Sequence, residues 1–206
     1  MPRTFKPFVP QKMMGYPELK NNDPIDLEIG CGVGLHPIKY ASSNRSRNLI
    51  AIEHTAAKYS KFMGRLQNHP DLDNIYPIHA NATSWTAQHL KPQQISKIFI
   101  LYPNPWPKPK HKNKRWAAMP YMQHLFEVLK PGGELTIASN FEWYIQQTIA
   151  DMPVWGFEKK LTETFTQKDV NSIIKSSNIH LPRTHFEKKY LESGQKCFQA
   201  IFKKKD

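Results

Sequence analysis

The stretch with the residue types best suited to chemistry spans residues 98–115 and reads IFILYPNPWPKPKHKNKR. Four apolar residues typical of a buried strand precede a proline-rich segment that places Asn104 beside Trp106. Each proline fixes φ and removes a backbone donor, so we expect a stiff loop after a strand. This order suggests a small reactive pocket beside a clamp for a polyanion, with a solvated basic loop as the alternative. The basic residues of the clamp are Lys108, Lys110, Lys112, Lys114 and Arg115.

A second candidate site is the glycine turn after the first predicted strand, IDLEIGCGVG. Its three glycines, which permit positive φ and close approach of a ligand, are Gly30, Gly32 and Gly34. A dinucleotide site requires a further glycine where this chain has Leu35. Glu28 suits the cationic groups of S-adenosylmethionine and would repel a pyrophosphate, so we favour the sulfonium cofactor. A local cap or salt bridge is the alternative role of Glu28.

Polar side chains with a carbonyl or carboxyl group follow each of five predicted strands. Because the carboxyl ends of parallel strands form one sheet edge, where open α/β sheets bind ligands, we expect these side chains to converge. At the tip of the second strand, Glu53 can accept both hydroxyl groups of a nucleoside ribose. The five residues are Glu28, Glu53, Asn81, Asn104 and Asn140.

The elements that must position these residues alternate between strand and helix patterns, which predicts one parallel sheet with helices on both faces. The predicted strands span residues 25–29, 48–53, 75–79, 98–101 and 134–138, followed by an antiparallel pair at 157–161 and 196–202. The predicted helices span residues 35–41, 55–68, 84–90, 117–129 and 141–150. Residues 162–193 are polar and have no assigned element. We interpret residues 1–24 as a basic, proline-rich, extended or mobile arm that is a candidate RNA contact, and residues 25–206 as one domain.

Charge indicates the class of partner. The chain has 29 Lys and Arg against 17 Asp and Glu, a formal net charge of +12, which favours a nucleic acid or an anionic surface. No Asp or Glu occurs between residues 74 and 126, so one end of the molecule should carry a positive field. A basic protein that is merely soluble is the alternative.

Composition predicts a cytoplasmic protein without a metal site or a membrane span. No run of 18 apolar residues occurs, and the first residues lack the apolar segment of a secretory signal. Cys31 and Cys197 lie far apart without metal-ligand spacing, which is typical of free thiols in a reducing compartment.

Taken together, these motifs resemble the tRNA (guanine-N7-)-methyltransferase family. The matching segments run in order from about residue 26 to residue 202, and the proline-tryptophan loop is the most specific of them. They are EIGCGVG (28–34), IEH (52–54), NA (81–82), YPNPWPK (102–108), LKPGG (129–133), ASNFEWY (138–144) and THFE (184–187). The resemblance implies a Rossmann-like class I methyltransferase, an α/β fold with a mostly parallel seven-stranded sheet and an antiparallel last strand. It also implies methyl transfer from S-adenosylmethionine to N7 of a guanosine in the tRNA variable loop.

The resemblance assigns roles residue by residue. Asn104 falls where the family has the aspartate assigned to catalysis and cofactor contact. The other residues implied to bind the cofactor are Glu28, Gly30, Gly32, Gly34, Glu53 and Asn81. Those implied to contact the substrate are Lys108, Asn140, Thr184, His185, Phe186 and Glu187. The remaining basic residues of the loop, expected to contact RNA phosphates, are Lys110, Lys112, Lys114 and Arg115.

The chain departs from the family pattern in the predicted pocket. The family loop reads Pro-Asp-Pro-Trp where this chain has Asn104, and the fifth strand tip reads Thr-Asp where it has Ser139 and Asn140. A glycine expected after the Phe-Glu segment is replaced near Tyr190. Because guanine N7 carries a lone pair and needs no deprotonation, methyl transfer stays physically possible. The alternatives are an RNA-binding homologue that is non-catalytic or has another substrate, a small-molecule methyltransferase, and a nicotinamide dehydrogenase, which Leu35 disfavours.

Overall fold

The computed structural model describes residues 4–8, 10 and 13–204. Over these residues the strands are β1 (Ile25–Ile29), β2 (Asn48–Glu53), β3 (Ile75–His79), β4 (Ile95–Leu101), β5 (Leu129–Ser139), β6 (Phe157–Phe165), β7 (Ile173–Ile174), β8 (Ile179–His180) and β9 (Cys197–Lys204). The α-helices are α1 (Leu35–Ser43), α2 (Ala56–Leu66), α3 (Ala82–His89), α4 (Tyr121–Val128), α5 (Glu142–Asp151) and α6 (His185–Glu192).

Seven strands form one sheet in the order β3-β2-β1-β4-β5-β9-β6. The pairs from β3 to β5 are parallel, whereas β9 runs antiparallel to both β5 and β6. The mostly parallel seven-stranded sheet with an antiparallel last strand is therefore confirmed. The strand order reverses at β1, which has β2 on one side and β4 on the other, and this reversal opens a crevice at the carboxyl edge of the sheet.

Helices cover both faces of the sheet because β2 and β4 bury apolar residues on both sides, whereas β1 buries Asp26 and Glu28 on one of its two sides. On one face, alternate strand residues such as Leu27 and Ile98 pack with Trp85 of α3, Leu125 of α4 and Tyr144 of α5. The opposite face packs against α1, α2 and α6 in three smaller apolar clusters, which include Ala51 with Ile38 and Phe62, Phe99 with Tyr40, and Phe165 with Leu191. The helices on both faces are therefore confirmed.

Gly34, which ends the glycine turn, is required by the packing of α1. Its φ is +83°, and a Cβ at this position would lie 2.0 Å from Cδ2 of the buried Phe62. A larger residue would therefore push α2 away from the turn. This structural role belongs to Gly34 alone among the three glycines, because no heavy atom lies within 4 Å of a Cβ built on Gly30 or Gly32.

Several predicted element boundaries differ from the structure by a few residues, and three segments show how. The helix predicted from residue 117 begins at Tyr121, because Pro120 holds Met119 in an extended conformation and separates a short 3-10 turn from α4. Strand β5 begins at Leu129 and continues through a Pro-Gly-Gly segment, where its register with β4 shifts. The unassigned residues 162–193 contain the end of β6, the β7–β8 ribbon and α6.

The described part of the predicted arm packs on the helices of one face. The indole Nε1 of Trp85 donates to the Met14 carbonyl at 2.8 Å, and the Tyr16 ring stacks on that indole with centroids 6.1 Å apart. Phe5 lies edge-on to Tyr121 at 5.3 Å. Residues 1–3, 9, 11 and 12 of the arm, and 205–206 of the predicted domain, lie outside the described residues. Within the part that is described, none of the helices has the length and apolar character needed to span a bilayer.

Candidate functional site

A cleft of about 730 Å³ lies at the carboxyl ends of β1, β2 and β4. Its volume is within the range of sites that bind small molecules and cofactors. One end is formed by the glycine turn and Glu53, and the other by the loop after β4, with Asn104 and Trp106. Thr184, at the start of α6, lies on a further wall. The fold therefore brings together four segments that are far apart in the sequence.

The carboxylate of Glu53 links the tips of β1 and β2. Its Oε2 accepts from the Gly32 N–H at 2.9 Å, and its Oε1 accepts from the Thr55 N–H at 2.7 Å. The residue is 5% exposed and lines the cleft. Because an ionised carboxylate has about four lone-pair sites, these two bonds leave acceptor capacity for hydroxyl groups of a ligand. Burial, followed by the charges of Glu28 and Glu53, raises the pKa of the neighbouring Cys31 thiol, which is therefore neutral.

Glu28 is paired with a residue that the sequence analysis did not single out, His36 in the first turn of α1. The His36 Nδ1 lies 2.7 Å from the Glu28 Oε2, and the two side chains are 6% and 2% exposed. Both residues line the cleft, and the imidazole also packs edge-on against Phe99 at 5.1 Å. Glu28 thus has a local partner of the kind that its alternative role requires. The sequence signal available for this pair was a histidine placed two residues after the last glycine of the turn.

The loop after β4 is held in an unusual backbone conformation. Tyr102 and Trp106 have φ of 54° and 48°, in the left-handed region that non-glycine residues adopt at an energetic cost. Between them, the exposed Asn104 accepts a hydrogen bond from the Trp106 N–H through Oδ1 at 3.2 Å and lines the cleft. The side chain therefore stabilises the turn that presents it.

The basic run folds back around Trp106. Lys114 Nζ lies 4.6 Å from the centroid of the Trp106 ring, and Arg115 donates to the Trp106 carbonyl from Nε and Nη2 at 3.2 and 3.1 Å. Arg115 also lies over the Trp143 ring at 4.8 Å and donates to Gln147 of α5. Arg115 thus fixes the loop to α5, and its contact with phosphate stays a prediction.

The other basic residues of the loop face solvent. Lys114 lines the cleft, whereas the remaining exposed lysines of the run do not. Those lysines are Lys108, Lys110 and Lys112. Helix α2 adds basic residues that the sequence analysis did not assign to the site, and these also line the cleft. They are Lys58, Lys61 and Arg65.

A buried ion pair ties the segment before α6 to the β4 loop. Glu187, 0% exposed, accepts from the Arg183 guanidinium, from the Arg183 backbone N–H at 2.5 Å and from the Tyr102 hydroxyl at 2.6 Å. Arg183 Nη1 also donates to Gln199 of β9 at 2.6 Å. Burial alone would raise the pKa of Glu187, but Arg183 and Tyr102 hold it below its ordinary value. Glu187 does not line the cleft, so the structure gives it an internal role, and its contact with substrate stays a prediction.

The first residues of α6 form a wall of the cleft. Thr184 caps the helix by accepting from the Glu187 N–H at 3.0 Å, and Phe186 is 51% exposed. Arg65 Nη1 lies 2.8 Å from His185 Nε2 and thereby bridges α2 and α6. Because arginine only donates, His185 accepts through Nε2. Burial, with the charges of Arg65, Lys188 and Lys39, lowers the pKa of His185, which keeps the imidazole neutral.

Two predicted strand-tip residues lie outside the cleft. Asn81 caps α3, with Oδ1 accepting from the N–H groups of Thr83 and Ser84 at 3.0 and 3.3 Å. Asn140 donates through Nδ2 to Gln195 at 3.4 Å. The roles predicted for both residues in ligand binding stay predictions. Among the described residues, no group of three or more His, Cys, Asp and Glu side chains is arranged to hold a metal ion.

The chain matches known proteins over most of its length. Residues 22–200 match the family described as "Putative methyltransferase". The tRNA (guanine-N(7)-)-methyltransferase of Chlorobium phaeobacteroides is 31% identical over 187 residues, which cover 91% of this chain and 84% of the relative. That of Ruegeria sp. (strain TM1040) is 30% identical over 156 residues, covering 70% of this chain and 60% of the relative. The chain thus spans about three fifths of the length of the first curated relatives it matches.

Solved structures agree with the fold. The 16S rRNA methyltransferase KamB superposes with a TM-score of 0.69 at 14% identity, covering 98% of this chain and all of that one. An antibiotic-related methyltransferase gives a TM-score of 0.62 at 15% identity, with 87% of each chain covered. At these identities the likeness shows the fold alone, which is that of a class I methyltransferase.

Proposed function

Because the chain belongs to the tRNA (guanine-N(7)-)-methyltransferase family, we propose that it transfers a methyl group from S-adenosylmethionine to N7 of a guanosine in tRNA. The observation that carries this proposal is a single cleft that extends from the glycine turn to the Pro-Asn-Pro-Trp loop. Such a cleft can align a cofactor bound at one end with a base bound at the other, and alignment is the main requirement of this reaction.

The residues at the glycine-turn end fit S-adenosylmethionine. Open space faces the Cα atoms of Gly30 and Gly32, so a ligand can lie against this backbone. The acceptor capacity left on Glu53 suits the two ribose hydroxyls. Glu28, fixed by His36, supplies a carboxylate beside the cationic sulfonium and ammonium groups.

Bound S-adenosylmethionine supplies an electrophilic methyl, which the N7 lone pair takes while the electrons of the broken C–S bond stay on sulfur. No proton has to leave N7, so the cleft needs no general base. The positive charge that leaves sulfur appears on the purine, and Asn104 can offer this charge only a dipole. The exposed Phe186 and the ring of Trp106 both line the cleft and offer flat surfaces on which a base can stack.

We expect Asn104→Asp to accelerate methyl transfer because a charged acceptor near the purine stabilises the developing positive charge better than an amide. Charge-assisted hydrogen bonds exceed neutral ones by roughly 1–2 kcal/mol, which corresponds to an increase of about 5- to 30-fold in kcat. The measurement is transfer of labelled methyl to unmodified tRNA by both proteins, with the modified base mapped by cleavage at N7-methylguanosine.

Asn113→Asp is the matched control, since Asn113 is an exposed amide of the same loop and should give no such gain. Label at a single guanosine N7 in the wild-type reaction would support the proposal. The proposal would be overturned if neither the wild type nor Asn104→Asp transferred methyl to tRNA although both bound S-adenosylhomocysteine.

A further inference from the structure

Two adjacent aromatic side chains outside the cleft lack an assigned role. Phe141 and Trp143 stand at the start of α5, directly after the tip of β5, and each is 38% exposed. Their ring centroids are 5.9 Å apart and their planes are tilted by 45°. Few aromatic rings of this size are exposed among the described residues, and these two are in contact with each other.

The pair is connected to the cleft through Arg115. The guanidinium of Arg115 lies over the Trp143 ring at 4.8 Å, and the same group donates to the carbonyl of Trp106, which lines the cleft. Lys114 then lies over the Trp106 ring. Aromatic rings and cations thus alternate along a continuous band that runs from the start of α5 to the cleft wall.

The scarcity of negative charge around this band favours an anionic ligand. The loop that supplies Arg115 belongs to a stretch of 53 residues, 74–126, without an acidic side chain. Glu142 separates the two aromatic residues in sequence, but it borders a smaller cavity with Ile145 and so belongs to another face of α5. Aromatic rings interleaved with cations bind single-stranded nucleic acid, by stacking on bases and pairing with phosphates.

We propose that Phe141 and Trp143 form a stacking platform for an unpaired base of the RNA, close to the guanosine that enters the cleft. This inference rests on the proposed function, because it requires an RNA substrate. The RNA must therefore have an unstacked nucleotide near the target guanosine. The platform then positions the RNA, and the cleft carries out the reaction.

The test is a double-mutant cycle between protein and RNA. Affinity for unmodified tRNA is measured for the wild type and Trp143→Ala, each with intact tRNA and with tRNAs carrying an abasic nucleotide near the target guanosine. For one abasic position, loss of the base should weaken binding to the wild type roughly 5- to 150-fold, the range of base stacking on aromatic side chains. Trp143→Ala should bind this abasic tRNA and intact tRNA with the same affinity, because the variant lacks the ring on which the base stacks.

Two further variants separate stacking from loop packing. Phe141→Ala leaves the contact between Arg115 and Trp143 in place and should still weaken tRNA binding, whereas Trp143→Phe should retain most of the affinity. Val154→Ala, a truncation of another exposed apolar side chain beyond the end of α5, should change nothing.

Additive effects of Trp143→Ala and every abasic position would overturn the platform, while wild-type methylation of tRNA would leave the proposed function standing. If the wild type neither bound nor methylated tRNA, both would be overturned. A reduced affinity of Trp143→Ala with no coupling to any base would show that Trp143 acts only by packing the loop, and would also overturn the platform.

Discussion

At the scale of single residues, the buried pair of His36 and Glu28 joins the first turn of α1 to β1 beside the cleft. We expect His36→Ala to destabilise the fold by about 1–3 kcal/mol, because it leaves a buried acceptor without its partner. His36→Asn places an amide nitrogen near the position of Nδ1 and should recover part of this loss. Urea unfolding measures the stability, and calorimetry with S-adenosylhomocysteine measures whether the cofactor site weakens in parallel. Unchanged stability and affinity in His36→Ala would show that the pair contributes nothing.

At the scale of elements, the ion pair of Arg183 and Glu187 holds α6 against the loop after β4. We expect Glu187→Gln to destabilise the protein by about 3–5 kcal/mol, because the buried guanidinium would lose its counter-charge. Glu192→Gln is the matched control on the same helix, since its ion pair with Lys188 spans 3.8 Å between half-exposed side chains and should contribute little. Equal unfolding midpoints for the two variants would contradict this role.

The same pair predicts how stability depends on pH. Since folding lowers the pKa of Glu187 below its ordinary value of 4.5, its contribution is complete above that value and is lost as the pH falls through the folded-state pKa. The wild type should therefore lose stability on acidification below about pH 4.5 more steeply than Glu187→Gln. Denaturant unfolding at a series of pH values tests this difference, and parallel curves for the two proteins would refute it.

At the scale of the whole molecule, basic side chains stand on two walls of the cleft, α2 and the loop after β4. Affinity for tRNA should fall steeply with salt, and Lys58→Ala with Lys61→Ala should reduce the slope of log affinity against log salt by about 1 for each phosphate that these lysines neutralise. The double variant Lys130→Ala with Lys203→Ala also removes two positive charges, but near the amino end of β5, away from the cleft. It should leave the slope nearly unchanged. Identical slopes for the two double variants would show that net charge alone drives binding.

The fold was predictable from local patterns. The apolar runs of the strands, the glycine turn and the proline-tryptophan loop act within a few residues of the chain, so the sheet and its reactive edge could be inferred in advance. The absence of acidic residues from 74–126 is likewise visible in the composition alone, and the positive field that it predicts stays a prediction. Element boundaries such as the start of α4 depended on one residue, Pro120, whose effect on Met119 the periodicity concealed.

The partner of each polar side chain was decided by the tertiary structure. Glu187 and Tyr102 are separated by 85 positions and meet only because α6 packs against the start of the loop after β4. Arg115 belongs to a basic run that predicts contact with phosphates. In the folded chain its guanidinium lies between the Trp106 carbonyl and the Trp143 ring. Sequence alone therefore determined that polar groups stand at the carboxyl ends of the strands, such as Glu28, Glu53 and Asn104. Which of them hold the site together and which face the cleft depends on long-range contacts that only the folded chain brings within bonding distance.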